Sequence, residues 1–243
     1  MVADNESELF DVVDNNNVVI GQEHRSKVHA TGLLHRAVYC FVFSPCGELL
    51  LQRRSPRKKI GPLQWDLSVA EHLQPGETYK QGAARGLQEE LGIAVSESRL
   101  QGPLTPTHLR RLDIPGLIHD YEFVESYRID GWDGAITADP EEVDEVRYVT
   151  LADARREAAA APDHFTDWFH GEMSALNWFG MTHPEPPDRS FVLSAPALAP
   201  GYVALQASER FEQRQNSCQE KLSWVPGGKY FRLGSLYEQG LAA

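Results

Sequence analysis

Two apolar runs, "AVYCFVF" at 37–43 and "ELLLQRR" at 48–54, set the strongest limit on how this chain folds. Successive side chains of a strand point to opposite faces, so a strand that is apolar at consecutive positions needs cover on both. With "SPCG" as their turn the runs read as a hairpin inside a layered structure.

Strand and helix signals alternate around them through the first 180 residues, which predicts an α/β fold. "ELFDVVDNNNVVIGQE" reads as two short strands about an Asn-rich turn. Thr78 and Gln81 form a capping-box signature and Gly92 stands where a C-cap glycine belongs, so 79–91 is predicted to be helical. At about 100° per residue, Ala84, Leu87 and Leu91 share one face of that helix, with Arg85, Gly86, Glu89 and Glu90 across from it. The carboxylates are therefore expected to point away from the core. Further strands are expected at "LIHDYEFVESYRI" and "EVRYVTL", a helix opening at Thr150 and Asp153, and a third within "HFTDWFHGEMSALNWF". Beyond Phe179 the chain turns proline-rich, which divides it into a domain over 1–180 and a C-terminal extension over 181–243, with a polar helix expected over 203–222.

A formal net charge of −12 disfavours non-specific attraction to nucleic acid or anionic membrane. "MVADNESELF" lacks the basic and apolar regions of a secretory signal, and no apolar run approaches the ~20 residues that span a bilayer. The expectation is a cytoplasmic protein with neither nucleic acid nor membrane as partner; a homodimer is left open. Three cysteines lack ligand-like spacing and none is an obvious nucleophile. The most basic stretch, "QRRSPRKK", offers Arg53, Arg57, Lys58 and Lys59 to hold an anion.

Glu77, Arg85, Glu89 and Glu90 carry the sharpest chemical signal. Like charges this close on a helix are unfavourable by a few tenths of a kcal/mol per pair, and hard divalent cations favour such oxygen ligands while substrate phosphates complete their shell. "QEEL" alone is most often a solvated face; the wider spacing is what distinguishes it. Residues 71–93 resemble the Nudix box, G-x5-E-x7-R-E-U-x-E-E-x-G-U, where U is bulky and apolar. Glu77, Arg85, Leu87, Glu89, Glu90, Gly92 and Ile93 match in register, while Glu71 stands for the first glycine and Gly86 for the first glutamate of the core.

The resemblance implies a Nudix-type α/β/α sandwich with a mixed β-sheet, and a small-molecule diphosphate substrate held through a divalent metal, Mg²⁺ or Mn²⁺. Glu89 and Glu90 match the metal-binding glutamates, and Arg85 the structural arginine, paired with Glu77. "TGLLHRAVYCFVFSPCGELLLQRRS" and "APDHFTDWF" further resemble the isopentenyl-diphosphate isomerases of this superfamily, whose metal-binding histidines fall on His29, His35 and His72. Imidazole ligands would favour Mn²⁺ or Zn²⁺ over Mg²⁺. The isomerases' cysteine is Ala70 here, the first tryptophan of their later motif is Asp163, and their strand glutamate falls somewhere from His119 to Glu122.

Three functions follow from this pattern. Metal-dependent hydrolysis of a nucleoside diphosphate-type or other organic diphosphate needs the catalytic set Glu89, Glu90, Glu77 and Arg85. An isopentenyl-diphosphate isomerase would need its acid relocated, and a non-catalytic diphosphate-binding protein would explain Gly86 directly. Glu71 and His72 are expected to replace the ligand missing at Gly86. A close approach of backbone at Gly86 would offset the roughly 1 kcal/mol that a mid-helix glycine costs.

Overall fold

The structure, a computed structural model, describes residues 5–179, 222–225 and 229–232. In chain order the elements are β1 (Leu9–Val13), β2 (Val19–His24), α1 (Arg25–Thr31), β3 (Leu34–Val42), β4 (Leu49–Arg54), β5 (Trp65–Asp66) and β6 (Val69–His72). Then follow α2 (Tyr79–Leu91), β7 (His108–Ile114), β8 (Ile118–Ile129), β9 (Val143–Val149), α3 (Leu151–Ala160), α4 (Asp167–Ala175), β10 (Leu222–Val225) and β11 (Lys229–Arg232).

A four-stranded mixed sheet runs β6-β3-β8-β7, with β3 parallel to β8 and the other pairs antiparallel. β5-β4-β9 form a separate antiparallel sheet. The apolar run of β3 divides as its period requires. Ala37, Tyr39, Phe41 and Phe43 join Ala154, Ala158, Trp168, Phe169 and Met173 in one core, and Val38, Cys40 and Val42 join Ala83, Leu87, Leu91 and Ile93 in the other. With α2 on one side and α3 and α4 on the other, the chain is an α/β/α sandwich.

β3 and β4 do not form the expected hairpin. They share an isolated bridge at Phe43 and Leu49 and then part into different sheets, because both edges of β3 are already taken by β6 and β8. The helix α2 runs where its caps place it: Thr78 and Gln81 make the reciprocal capping-box bonds, and Gly92 closes it at φ 66°. Its buried face differs from the expected one, since it comprises Gly82, Ala83, Gly86, Leu87, Glu90 and Leu91, while Ala84 is half-buried and Glu89 exposed. Gly86 presses against β6, which turns Glu90 inward with it. β10 and β11 pair antiparallel. The proline-rich segment after 180 and, Leu222 apart, the helix expected over 203–222 lie outside the described residues. No helix among the described residues is long and apolar enough to cross a membrane.

Candidate functional site

Strand register assembles one half of the site. His35 pairs with Glu122 across β3 and β8, and Ala37 pairs with His72 across β3 and β6, so residues from three strands meet at one end of the sheet. Asp120 comes from the same face of β8, and α1 carries His29 over the group. Phe10 of β1 closes the top, its ring centroid 5.3 Å from that of His35 and 4.7 Å from that of His72.

Nitrogens of His29, His35 and His72 and an oxygen of Asp120 lie within 4.8 Å of one another. His35 Nε2 is 3.2 Å and His29 Nε2 3.6 Å from Asp120 Oδ1, and His72 Nε2 is 3.0 Å from Glu122 Oε1. None of these close approaches has hydrogen-bond geometry, and all three Nε2 atoms and Asp120 Oδ1 are buried without a partner. Buried polar atoms are seldom left so, and three imidazoles converging with a carboxylate are a donor set that suits a divalent transition ion. His35 Nδ1 lies 3.0 Å from the Leu33 carbonyl, which in the neutral ring sets the proton on Nδ1 and turns the Nε2 lone pair to the cluster.

Protonation at His29 and His72 fits the same use. Burial, then the neighbouring His72 and His35, take the His29 pKa down to about 2, and burial lowers His72 as well. At His35 burial opposes the charge, yet Asp120 and Glu122 beside it raise its pKa. Glu122, though buried, is held well below the usual carboxylate range by His72 and by Arg110, which donates to it at 2.9 Å.

The second half lies on the other face of β6. Glu71 points toward α2, where Glu90 is buried and accepts from Gln52 at 2.8 Å. Burial, then Arg85 and Glu8, set the Glu71 carboxyl at about 7, while burial and the adjacent Glu71 push Glu90 well above its ordinary range. Arg85 ties the group together, donating to Glu77 at 2.9 and 3.0 Å, to Glu89 at 2.9 Å and to the His72 carbonyl at 2.7 Å. Because β6 is the sheet edge, residues from both its faces line one cavity of about 350 Å³, including His29, His72, Asp120, Glu122, Glu71, Glu89 and Glu90.

Several expected site residues stand elsewhere. Arg53 is paired with Asp144 and Glu145, Arg57 with Glu141 and Lys59 with Glu6, and none of the three lines the cavity. Their carboxylate partners, distant in sequence, draw them aside. Lys58 does line it, beside Glu142, and so does Arg54 of the same basic stretch. Glu77 stays outside the cavity wall, its oxygens taken by Arg85 and the Gln74 amide, so its place is behind Arg85. Glu71 and His72 face opposite sides of β6, so that His72 joins the histidine cluster while Glu71 lies toward the box glutamates.

The fold and the doubled carboxylate and histidine site define a class. The NUDIX domain family model matches residues 33–169, and this chain belongs to the Nudix family. It stands close to the isopentenyl-diphosphate isomerase-like branch. It is 33% identical over 169 residues to the isopentenyl-diphosphate Delta-isomerase of Serratia proteamaculans, covering 70% of this chain and 91% of that one. It is 36% identical over 133 residues to an uncharacterised Nudix hydrolase, all7351, of Nostoc sp., covering 49% and 79%. The crystal structure of DR0079 from Deinococcus radiodurans shares the fold, with a TM-score of 0.52 at 23% identity over 69% of this chain and 99% of that one.

Proposed function

We propose that this protein is a metal-dependent hydrolase that cleaves the diphosphate linkage of a nucleoside diphosphate-type or other organic diphosphate. The observation that carries this reading is the opening of two donor clusters, one of histidines and one of box glutamates, onto a single cavity. His29, His35, His72 and Asp120 would hold one divalent ion, Glu89 and Glu90 another, with Mn²⁺ or Mg²⁺ at the carboxylates. A bound ion of this kind supplies neutralisation of phosphoryl charge and a lowered pKa for attacking water.

The chain's own residues do the rest. Arg54 and Lys58 hold phosphate oxygens, and Arg85 fixes the box carboxylates. In the reaction a water oxygen bonds to one phosphorus as the bridging P–O bond breaks. The water proton passes to Glu89, whose side chain lines the cavity and reaches solvent. Two phosphate-bearing or phosphorylated products leave. The Nudix domain is taken as residues 1–180, with 181–243 as its extension.

The isomerase reading is favoured by the histidine cluster and the Serratia relative. It requires an acid and a base on opposite sides of an alkene. Ala70 lines the cavity and carries no proton to give. Its strand partner Tyr39 carries a hydroxyl that donates to Glu122 at 3.0 Å, and burial raises its pKa well above the ordinary value. Tyr39 and Glu122 therefore form one bonded pair and not an acid and base facing each other.

Turnover of a panel of nucleoside diphosphates, ADP-ribose, thiamine diphosphate and isopentenyl diphosphate tests the proposal. Metal-dependent cleavage of the P–O–P linkage, read as free phosphate or as phosphomonoester products, lost on chelation and in Glu90→Gln, supports it. Metal-dependent binding with no cleavage of any compound would overturn it in favour of a binding protein.

A further inference from the structure

The two departures from the Nudix box are a reciprocal exchange. Where the family pattern has glycine at 71 and glutamate at 86, this chain has Glu71 and Gly86. In space the two positions meet. A β-carbon on Gly86 would lie 3.0 Å from Glu71 Cβ and 3.1 Å from Glu71 Cγ, so the stem of Glu71 occupies the volume into which a side chain at 86 would grow.

We infer that Glu71 is a metal-ligating residue of the carboxylate half of the site, delivering from strand β6 the carboxylate that the family pattern delivers from helix α2. This rests on the metal-dependent reading above and assigns it a residue outside the family's own ligand positions.

Three further observations support the assignment. Glu71 is held in place: its Oε1 accepts from the His72 amide at 2.8 Å, and its Oε2 lies 3.3 Å from Arg85 Nη1, the same nitrogen that donates to Glu89 at 2.9 Å. Glu71, Glu89 and Glu90 thus edge one cavity wall from two elements. Carboxylates outnumber cations there. Glu71, Glu77 and Glu89 share the guanidinium of Arg85, Lys58 sits beside Glu142 and also acts on Glu71 and Glu90, and Glu90 accepts from the neutral amide of Gln52. Buried carboxylates this close are relieved by a proton or by a bound cation. Finally, the amide that donates to Glu90 has its other end, Gln52 Oε1, buried without a hydrogen-bond partner, an orphaned polar atom next to the carboxylates.

The exchange also accounts for the glycine. An alanine or larger residue at 86 would collide with Glu71, and a glycine at 71 would leave the cluster without its third carboxylate. Each substitution makes sense only with the other.

Mn²⁺ binding to the full chain, measured by calorimetry and by the electron paramagnetic resonance of free and bound ion, tests this without turnover. Wild type is expected to show two classes of site, one of them lost in His72→Ala and the other in Glu90→Gln. Glu71→Gln, nearly isosteric, should weaken the Glu90-dependent class by tenfold or more and leave the His72-dependent class within about threefold. The double variant Glu71→Gly with Gly86→Glu returns the carboxylate to the helix and should recover that class to within about fivefold of wild type. A Glu90-dependent class untouched by Glu71→Gln overturns the inference and leaves the proposed function standing; absence of any Glu90-dependent class overturns both. Should the double variant fail to fold, Glu71→Gln alone decides.

Discussion

The Cγ1 methyl of Val69 stands 2.9 Å from the point that a β-carbon on Gly86 would occupy. Helix α2 and strand β6 touch there through backbone and methyl, so closely that a larger residue at 86 needs its neighbours to shift. Gly86→Ala gains roughly 1 kcal/mol of helix propensity, and the overlap with Val69 and Glu71 outweighs it. The expected net loss is about 1–3 kcal/mol, the usual cost of overpacking a filled core. Urea denaturation measures it, and because neighbours couple, Gly86→Ala combined with Val69→Ala should lose less than the two singles summed. A stabilised Gly86→Ala would contradict the packing described here.

Arg85 offers a second test. Its guanidinium makes two bonds to Glu77, one to Glu89 and one to the His72 carbonyl, a fork that an ammonium cannot reproduce. Arg85→Lys is expected to cost about 2–4 kcal/mol, since breaking a largely buried pair leaves Glu77 and the carbonyl uncompensated. Glu77→Gln keeps the shape and loses the charge, for about 1–2 kcal/mol. Denaturant midpoints for the two variants in that order bear out the arrangement; the reverse order does not.

Glu90 should behave oppositely with and without metal. Burial beside Glu71 makes its charge unfavourable in the metal-free protein, so Glu90→Gln is expected to melt at the same temperature as wild type or above it after chelation. Manganese at a hundredfold excess over its dissociation constant then stabilises wild type by about 2.7 kcal/mol, which for a domain of this size is roughly 5–10 °C. In Glu90→Gln the increment from the carboxylate site is lost. Thermal melts of both proteins with and without Mn²⁺ read this directly.

Away from the cavity, a buried carboxylate and a half-buried imidazole give a pH dependence of definite sign. His108 on β7 lies 3.3 Å from Glu172 on α4, which also accepts from Ser126. The bond to Glu172 raises the His108 pKa above its ordinary 6.5 against the opposing effect of burial and of Arg110. A histidine whose folded pKa is raised contributes its full stability below the unfolded value and loses it as pH rises through the folded one. His108→Gln should therefore lie furthest below wild type in melting temperature under about pH 6, and the gap should close above the raised pKa. A gap that widens with rising pH would show that the pair does not act this way.

Much of this molecule was legible before its structure. The caps of α2 are spelled out by Thr78, Gln81 and Gly92, local signals that no tertiary contact had to supply. β8 and β9 showed themselves through runs long enough to carry a period. β5 and β6, two and four residues long, carry too little pattern to be seen, and β7 is mostly polar. At the site, spacing along one helix pointed to Glu89, Glu90 and Arg85, and resemblance pointed to His29, His35 and His72. Asp120 and Glu122 went unassigned because only the parallel register of β3 on β8 brings them to the histidines. The burial of Glu90 was misjudged for a related reason. A helical wheel cannot register that a glycine lets one face sink toward a strand. The basic loop misled in the other direction, since Arg53, Arg57 and Lys59 find acidic partners far away in sequence.

The most direct test of diphosphate hydrolysis is phosphorus NMR of the reaction run in ¹⁸O-labelled water with Mn²⁺ removed before acquisition. A hydrolase places one ¹⁸O on a product phosphate, seen as an upfield isotope shift, with wild type active and Glu90→Gln silent. If isopentenyl diphosphate instead returns an allylic diphosphate with no ¹⁸O on phosphorus, while no other substrate is cleaved, the reaction is isomerisation and the hydrolase assignment is wrong.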